Sequence, residues 1–220
     1  MSPSGAACPP LPPTPYSSEA GSRFFADADE VYETVNRLTP EQRAIALFWS
    51  DDPVTTPTPP GHSISILTQM LRAAGSSLAE AAEAYAKVGL AVADAFICCW
   101  FVKYEFSVLR PVTYIRSFID ASWLPLLITP PFPEFTSGHS VQSGAASTVM
   151  TTLLGDVAFT DHTHDARGLP ARSFTSVSEA AEEAAISRLY GGIHFRPAIE
   201  RGLEQGRCIG SHVDALELRG

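Results

Sequence analysis

The chain has 220 residues, 45% apolar and 18% charged, with a formal net charge of -9. That length and apolar content suit one well-buried globular domain and exclude a disordered chain. The acidic balance excludes a nucleic-acid backbone or an anionic membrane surface as main partner, because both select basic faces. A local basic cluster can still dominate its own pocket.

In chain order, residues 1–22, containing MSPSGAACPPLPPTPY, form a proline-rich, extended tail. No basic segment followed by an apolar core is present, so neither a secretion signal nor a membrane anchor is expected. The expectation is a soluble protein, cytoplasmic rather than secreted. Residues 23–220 are expected to form a single helical domain. RFFADADEVYETVNRL (23–38) has helical apolar spacing, and TPEQRAIALFW (39–49) starts with Thr39 as N-cap, Pro40 at the first position and Gln42 completing a capping box. DDPVTTPTPPGH (51–62) reads as a loop, since its prolines forbid a continuous helix or central strand. A helix from residue 63 ends at Gly75.

Residues 77–110 read as one long helix running to Pro111, with a kink allowed. Its apolar stretch VGLAVADAFICCWFV contains Asp94 and falls short of the ~18 uncharged residues of a membrane span, so it reads as a buried helix. GHSVQSGAASTVMTTLLG (138–155) predicts a further helix. Ser176 and Glu179 predict a capping box for VSEAAEEAAISRLY, broken by Gly191 and Gly192, and a last helix runs from Pro197 to about His212. No stretch alternates convincingly, so the expected fold class is an all-α helical bundle. Cys8, Cys98, Cys99 and Cys208 show no CxxC or His-Cys spacing, which predicts buried thiols rather than a disulfide framework or zinc site.

Three segments carry candidate chemistry. Ser137, Gly138 and His139 stand at a helix start, where free N–H groups and the helix dipole can cradle an oxyanion; taken alone, they are more simply a serine N-cap beside a surface histidine. Lys103 and Arg110 are seven residues apart, within about 20° of two full helical turns, so on a continuous helix they leave one face together. Embedded among Trp100, Phe101, Val102, Phe106, Val108 and Leu109, the two cations would meet a desolvation cost that an anion answers. Arg188 and His194 flank the Gly191–Gly192 break, where a sharp turn can aim both at one pocket. His62, His162, His164 and His212 have no useful partner spacing. DHTHD (161–165) resembles a metal-binding tract but reads as solvated surface. Glu179, Glu182 and Glu183 read as charge near a helix N-terminus.

The order KxxxxxxRP, SGH, SRxxxxxH, here Lys103 to Pro111, Ser137 to His139 and Ser187 to His194, resembles the superfamily of vanadium-dependent haloperoxidases and type 2 phosphatidic acid phosphatases. The flanks FWSDDPVTTPTPPGH, LPLLITPPFPEFTSGHS and SEAAEEAAISRLYGGIHFR look like the soluble bacterial haloperoxidase group, over about residues 24–212. The resemblance implies vanadate as cofactor. Lys103, Arg110 and Arg188 would neutralise its oxygens, with Ser137 and the Gly138 N–H bonding them; His194 would ligate vanadium and His139 would serve as acid-base group. Trp100 and Phe132 would line a peroxide and halide pocket, core packing being their other reading.

Hydrogen peroxide and halide are the implied substrates. The same pocket also suits phosphate esters, hydrolysed with His194 as nucleophile through a phosphohistidine. A truncated homologue without turnover is the third reading. Superfamily members commonly carry an aspartate four residues after the last histidine; Ala198 stands there, which predicts a weaker axial bond or a backbone carbonyl in the orienting role. Soluble members are usually longer, so the chain is expected to match their C-terminal catalytic part, as a fragment, a shortened gene model or a chain completed in a homo-oligomer.

Overall fold

The computed structural model describes residues 7–52 and 56–218. The tail's first six residues and the centre of the expected 51–62 loop lie outside them. Eight α-helices are described: α1 Arg23–Asn36, α2 Pro40–Phe48, α3 Thr58–Ala74, α4 Leu78–Phe106, α5 Pro111–Phe118, α6 Gly138–Leu154, α7 Val177–Tyr190 and α8 Arg196–Asp214. Local chemistry sets many of their ends. The Thr39–Gln42 capping box forms at α2, Ser77 and Glu80 form another at α4, and Gly75 closes α3 in the left-handed region at φ 65°. At α7 only half of the expected box forms: Ser176 Oγ accepts from the Glu179 N–H, while the Glu179 carboxylate accepts from Thr175.

Three expectations are corrected. The helix expected from residue 63 already starts at Thr58, because Pro59 and Pro60 occupy the first turn, where no N–H is required. The long helix ends at Phe106, not Arg110, with Ser107 left-handed at φ 48°. Lys103 and Arg110 therefore share no helix face; Arg110 caps α5, a helix absent from the sequence reading, whose first residue is Pro111. Finally, β1 (Phe159–Asp161) and β2 (Arg172–Phe174) form a small antiparallel hairpin with Phe159 opposite Phe174. Strands this short cannot display an alternation long enough to detect. The architecture remains a helical bundle.

The core is organised on α6, which packs against α3, α4, α7 and α8. Its contact with α8 is unusually close. A Cβ at Gly144 would stand 2.8 Å from the Leu203 carbonyl, one at Gly210 2.8 Å from the Ala145 carbonyl, and one at Gly206 would run into the Val141 carbonyl. The four-residue spacing of Gly202, Gly206 and Gly210 puts these positions on one face of α8, so the two backbones can meet. The 88–102 segment is buried on the side turned to α6 and α8, with Val88, Ala91, Ala95, Cys98, Cys99 and Val102 in the core; by length and composition α4 could cross a membrane, but half of that stretch is buried.

The cysteine expectation is half corrected. Cys98 and Cys99 are buried thiols, but Cys8 and Cys208 form a disulfide across a sequence separation of 200. Thr14 Oγ1 donates to Asp27 Oδ2 at 2.6 Å and the Tyr114 hydroxyl donates to the Ser17 carbonyl at 2.7 Å, so the described part of the proline-rich stretch is fastened to the bundle.

Candidate active site

The seam between α6 and α8 builds one wall of the site. Ser137 donates its backbone N–H to the Ala198 carbonyl at 3.0 Å, and its Oγ accepts from the Ser140 N–H at 3.4 Å. The start of α6 is thereby set beside the start of α8 and the turn before it, where Gly192 takes φ 75°. Ser137 is fully buried and its hydroxyl caps the helix. Gly138 and His139, one step further on, face a cavity of about 660 Å³ also lined by Asp51, Arg110, Arg188 and His194. Trp100 and Phe132 line it as well, their ring centroids 5.0 Å apart.

His194 has a defined tautomer. Its Nε2 lies 3.0 Å from Arg110 Nη1 and its Nδ1 2.8 Å from Glu134 Oε1; a guanidinium only donates, so Nε2 presents a lone pair and the neutral ring carries its proton on Nδ1. Burial and the nearby Arg110, Lys103 and Arg188 cations hold the ring well below the usual histidine range, hence neutral. Glu134 is itself anchored by the Phe195 N–H at 2.9 Å. Burial pushes its carboxyl up to about 7 against the pull of the Lys103 ammonium and that N–H. The orienting role left open by Ala198 thus belongs to a carboxylate from another loop, and the expected backbone carbonyl is corrected. Ala198 packs with Val102 and Phe135, where an aspartate would be buried among apolar groups.

Three cations converge here despite the break after α4. Arg110 donates Nε to the Phe132 carbonyl at 2.9 Å and Nη1 to the Ile193 carbonyl at 2.8 Å, and Nη1 also lies 3.0 Å from His194 Nε2. Its Nη2 is buried without a partner. Arg188 is fixed by the Trp49 carbonyl at 2.6 Å and Ser187 Oγ at 3.1 Å. Burial lowers both guanidinium groups to about 10. Lys103 stands behind the wall: its ammonium donates to the carbonyls of Pro133, Glu134 and Thr136 at 3.0, 2.9 and 2.5 Å, and lies 5.4 Å from the Phe132 ring centroid. It holds the segment that precedes Ser137 and adds charge, with its donors already engaged.

His139 Nε2 lies 3.4 Å from Asp51 Oδ2 without hydrogen-bond geometry. Burial and Arg188 push the ring down to about 4, against the opposing pull of Asp51. Asp51 is deeply buried, and burial alone would raise it. Contacts with His139, His164 and His62 outweigh that and hold it well below the usual carboxylate range. His62 Nδ1 lies 2.9 Å from Asp51 and Nε2 2.7 Å from Asp161. The surface reading of DHTHD is corrected for Asp161 and His164, both buried; His162 is exposed and pairs with Asp165 at 3.0 Å. Glu183 is no bare helix-end charge either, since it accepts from Arg172 Nη2 at 2.6 Å and Trp49 Nε1 at 2.9 Å.

Sequence reasoning missed Glu134 and Asp51 although both lie in segments it singled out, PEFTSGH and FWSDDP. Their partners are 60 and 11 residues away, and no spacing rule reaches the first.

Chemically, the cavity fits a tetrahedral oxyanion. Lys103, Arg110 and Arg188 are all nearly inaccessible to solvent, Arg110 Nη2 lacks a partner, and the first N–H groups of α6 have no intrahelical acceptor. These features define an all-α bundle with a histidine-containing anion pocket. Residues 118–218 match the family model for the VCPO second helical-bundle domain. Among solved structures, the chain is 48% identical to one described as the first bacterial vanadium-dependent iodoperoxidase, with a TM-score of 0.91 over 95% of this chain and 53% of that one. Holo and apo forms of a bacterial vanadium-dependent chloroperoxidase are 20% identical, with TM-scores of 0.67 and 0.70 over 87% of this chain and 47% of theirs, a likeness of fold. No curated protein sequence matches the chain. Over the part they cover, these matches support the vanadium haloperoxidase family, and the chain spans about half the length of the solved structures it matches.

Proposed function

We propose that this chain is the catalytic part of a vanadate-dependent haloperoxidase that oxidises halide with hydrogen peroxide. The observation that carries the proposal is the pairing of a neutral His194, proton on Nδ1 and lone pair on Nε2, with the partnerless Arg110 Nη2 in the same cavity. His194 Nε2 would ligate vanadium, giving up its contact with Arg110 Nη1. Arg110, Arg188 and the Gly138 N–H would hold the oxygens, with Lys103 adding charge from behind and Ser137 fixing the helix start. Bound vanadate supplies a Lewis acid that activates peroxide without changing its own oxidation state.

The remaining steps belong to the protein. His139, neutral at ordinary pH and lining the cavity, would take a proton from incoming peroxide and return it to the departing oxygen, while its Nε2 faces Asp51. Asp51 stabilises the imidazolium formed in between. Trp100, Phe132 and Phe96 line an apolar side of the cavity, which would exclude water and suit a poorly hydrated halide. The match to a second helical-bundle domain supports assignment to the C-terminal part of longer relatives. The disulfide favours an oxidising compartment over the cytoplasm.

The test is peroxide-dependent oxidation of iodide and bromide after incubation with vanadate, alongside hydrolysis of an aryl phosphate. Halide oxidation that requires vanadate and is suppressed by excess phosphate supports the proposal. Aryl phosphate hydrolysis without halide oxidation moves the assignment to a phosphomonoesterase using His194 as nucleophile, and silence in both assays to a binding protein.

A further inference from the structure

We propose that Asp51, His62 and His164 form a divalent transition-metal site behind the oxyanion cavity, sharing Asp51 with His139. Their ligand atoms, one from each residue, all lie within 4.8 Å of one another, and all three residues are buried. Asp51 Oδ1 is 2.9 Å from His62 Nδ1 and 3.6 Å from His164 Nε2. Ligands at 2.0–2.1 Å from a tetrahedral zinc are about 3.3 Å apart, so these separations bracket the required spacing. The longer one is beyond a hydrogen bond, and His164 Nε2 is a buried nitrogen with no hydrogen-bond partner. Arg167 Nη1 stands 3.5 Å from the other ring nitrogen, too far to commit the ring to one tautomer.

The surroundings have the form of a metal site's outer layer. His62 Nε2 faces Asp161 Oδ2 at 2.7 Å, the carboxylate–histidine arrangement that fixes a ligating ring and raises its basicity. Asp161 is held in turn by the Thr163 N–H at 2.9 Å, Thr163 Oγ1 at 2.6 Å and Gln69 Nε2 at 3.2 Å. Trp49 stacks on His62 at 4.5 Å and Phe48 meets His164 edge-on at 4.8 Å, a shell that excludes bulk water. Asp51 lines the cavity and supplies the entry path. Two imidazoles and one carboxylate suit zinc, cobalt(II) or iron(II) better than magnesium or calcium. On binding, the cation takes the place of the proton between His62 Nδ1 and Asp51, and that proton leaves to solvent.

The experiment uses the disulfide-intact chain, freed of metal by chelator dialysis and titrated with cobalt(II) while visible absorption is recorded. The expected result is a saturable band at one equivalent, abolished by one equivalent of zinc. His164→Gln removes the band. Asp161→Asn, which leaves every ligand in place, weakens cobalt binding 10–100-fold. His162→Gln leaves it unchanged. Far-UV circular dichroism checks each variant, and Asp161→Asn stays decisive if His164→Gln does not fold. A parent chain without a stoichiometric band, or equal affinity in the parent, His164→Gln and Asp161→Asn, overturns the proposal. No vanadate, halide or peroxide enters the titration, so its failure leaves the proposed activity untouched.

Discussion

Glu134 and His194, sixty residues apart in sequence, meet at 2.8 Å in a buried carboxylate–imidazole pair whose second acceptor contact is the Phe195 N–H. The pair sets which nitrogen of His194 carries the proton. Glu134→Gln keeps the shape but removes the charge and lets the side-chain amide turn a donor toward Nδ1. Vanadate affinity should fall about 10–100-fold with the helical content unchanged. Nitrogen-15 shifts of the His194 ring check the cause: the Nδ1–H form should dominate in the parent and lose that dominance in the variant.

The two pocket histidines should fail differently. His194→Ala removes the protein's bond to vanadium and should abolish both tight vanadate binding and halide oxidation. His139→Ala removes proton transfer, costing typically ~10²–10⁴-fold in turnover, while vanadate affinity stays near the parent's. Vanadate titration beside steady-state turnover separates the two. Equal, small effects on both quantities would make these histidines structural.

Alkaline pH should weaken anion binding through Lys103. Burial lowers its ammonium to about 8, Arg110 pushes in the same direction, and Cys99 and Glu134 oppose it. As pH rises, the Glu134 carboxyl gains a negative charge at about 7 and Lys103 loses a positive one at about 8, so affinity declines across both steps. Tungstate is a suitable probe because its own charge is constant over this range. In Lys103→Met, affinity should be lower throughout and its decline near pH 8 should disappear.

The disulfide and the buried thiols are distinguishable by counting. Unreduced protein in denaturant should expose two thiols, from Cys98 and Cys99, and reduced protein all four. Loop-entropy arguments allow up to about 5 kcal/mol of stabilisation for a link of this span, so Cys8→Ser with Cys208→Ser should lower the denaturation midpoint.

The α6–α8 seam predicts opposite signs for one chemical change. Gly206→Ala drives a methyl group into the Val141 carbonyl and should destabilise by about 1–3 kcal/mol. Gly89→Ala, on α4 with nothing within 4 Å of the added carbon, should stabilise by roughly 0.5–1 kcal/mol. Chemical denaturation of both variants checks the contrast.

Helices announced by caps and breakers were legible in the sequence: Thr39 with Gln42, Gly75, Ser137 and the Gly191–Gly192 break each mark an observed boundary. The end of α4 was not, because Ser107 is no standard breaker and takes its left-handed φ from the tertiary turn that carries Arg110 to the cavity. Convergence of Arg110, Arg188, His139 and His194 on one cavity followed from motif order, although the two-turn argument for Lys103 and Arg110 fails geometrically. Glu134, Asp51 and the Asp161–His62 pair were hidden because each contact joins segments that only packing brings together. The Cys8–Cys208 bridge was hidden for the same reason: a pairing across 200 residues leaves no local spacing.

The most direct test of the central claim is a crystal structure of the chain soaked in orthovanadate. The expected result is a vanadium peak in the cavity within coordination distance of His194 Nε2, oxygens facing Arg110 Nη2 and the Gly138 N–H, and Glu134 still on Nδ1. A vanadium peak elsewhere on the protein, or a cavity that stays free of vanadium at saturating concentration, would contradict it.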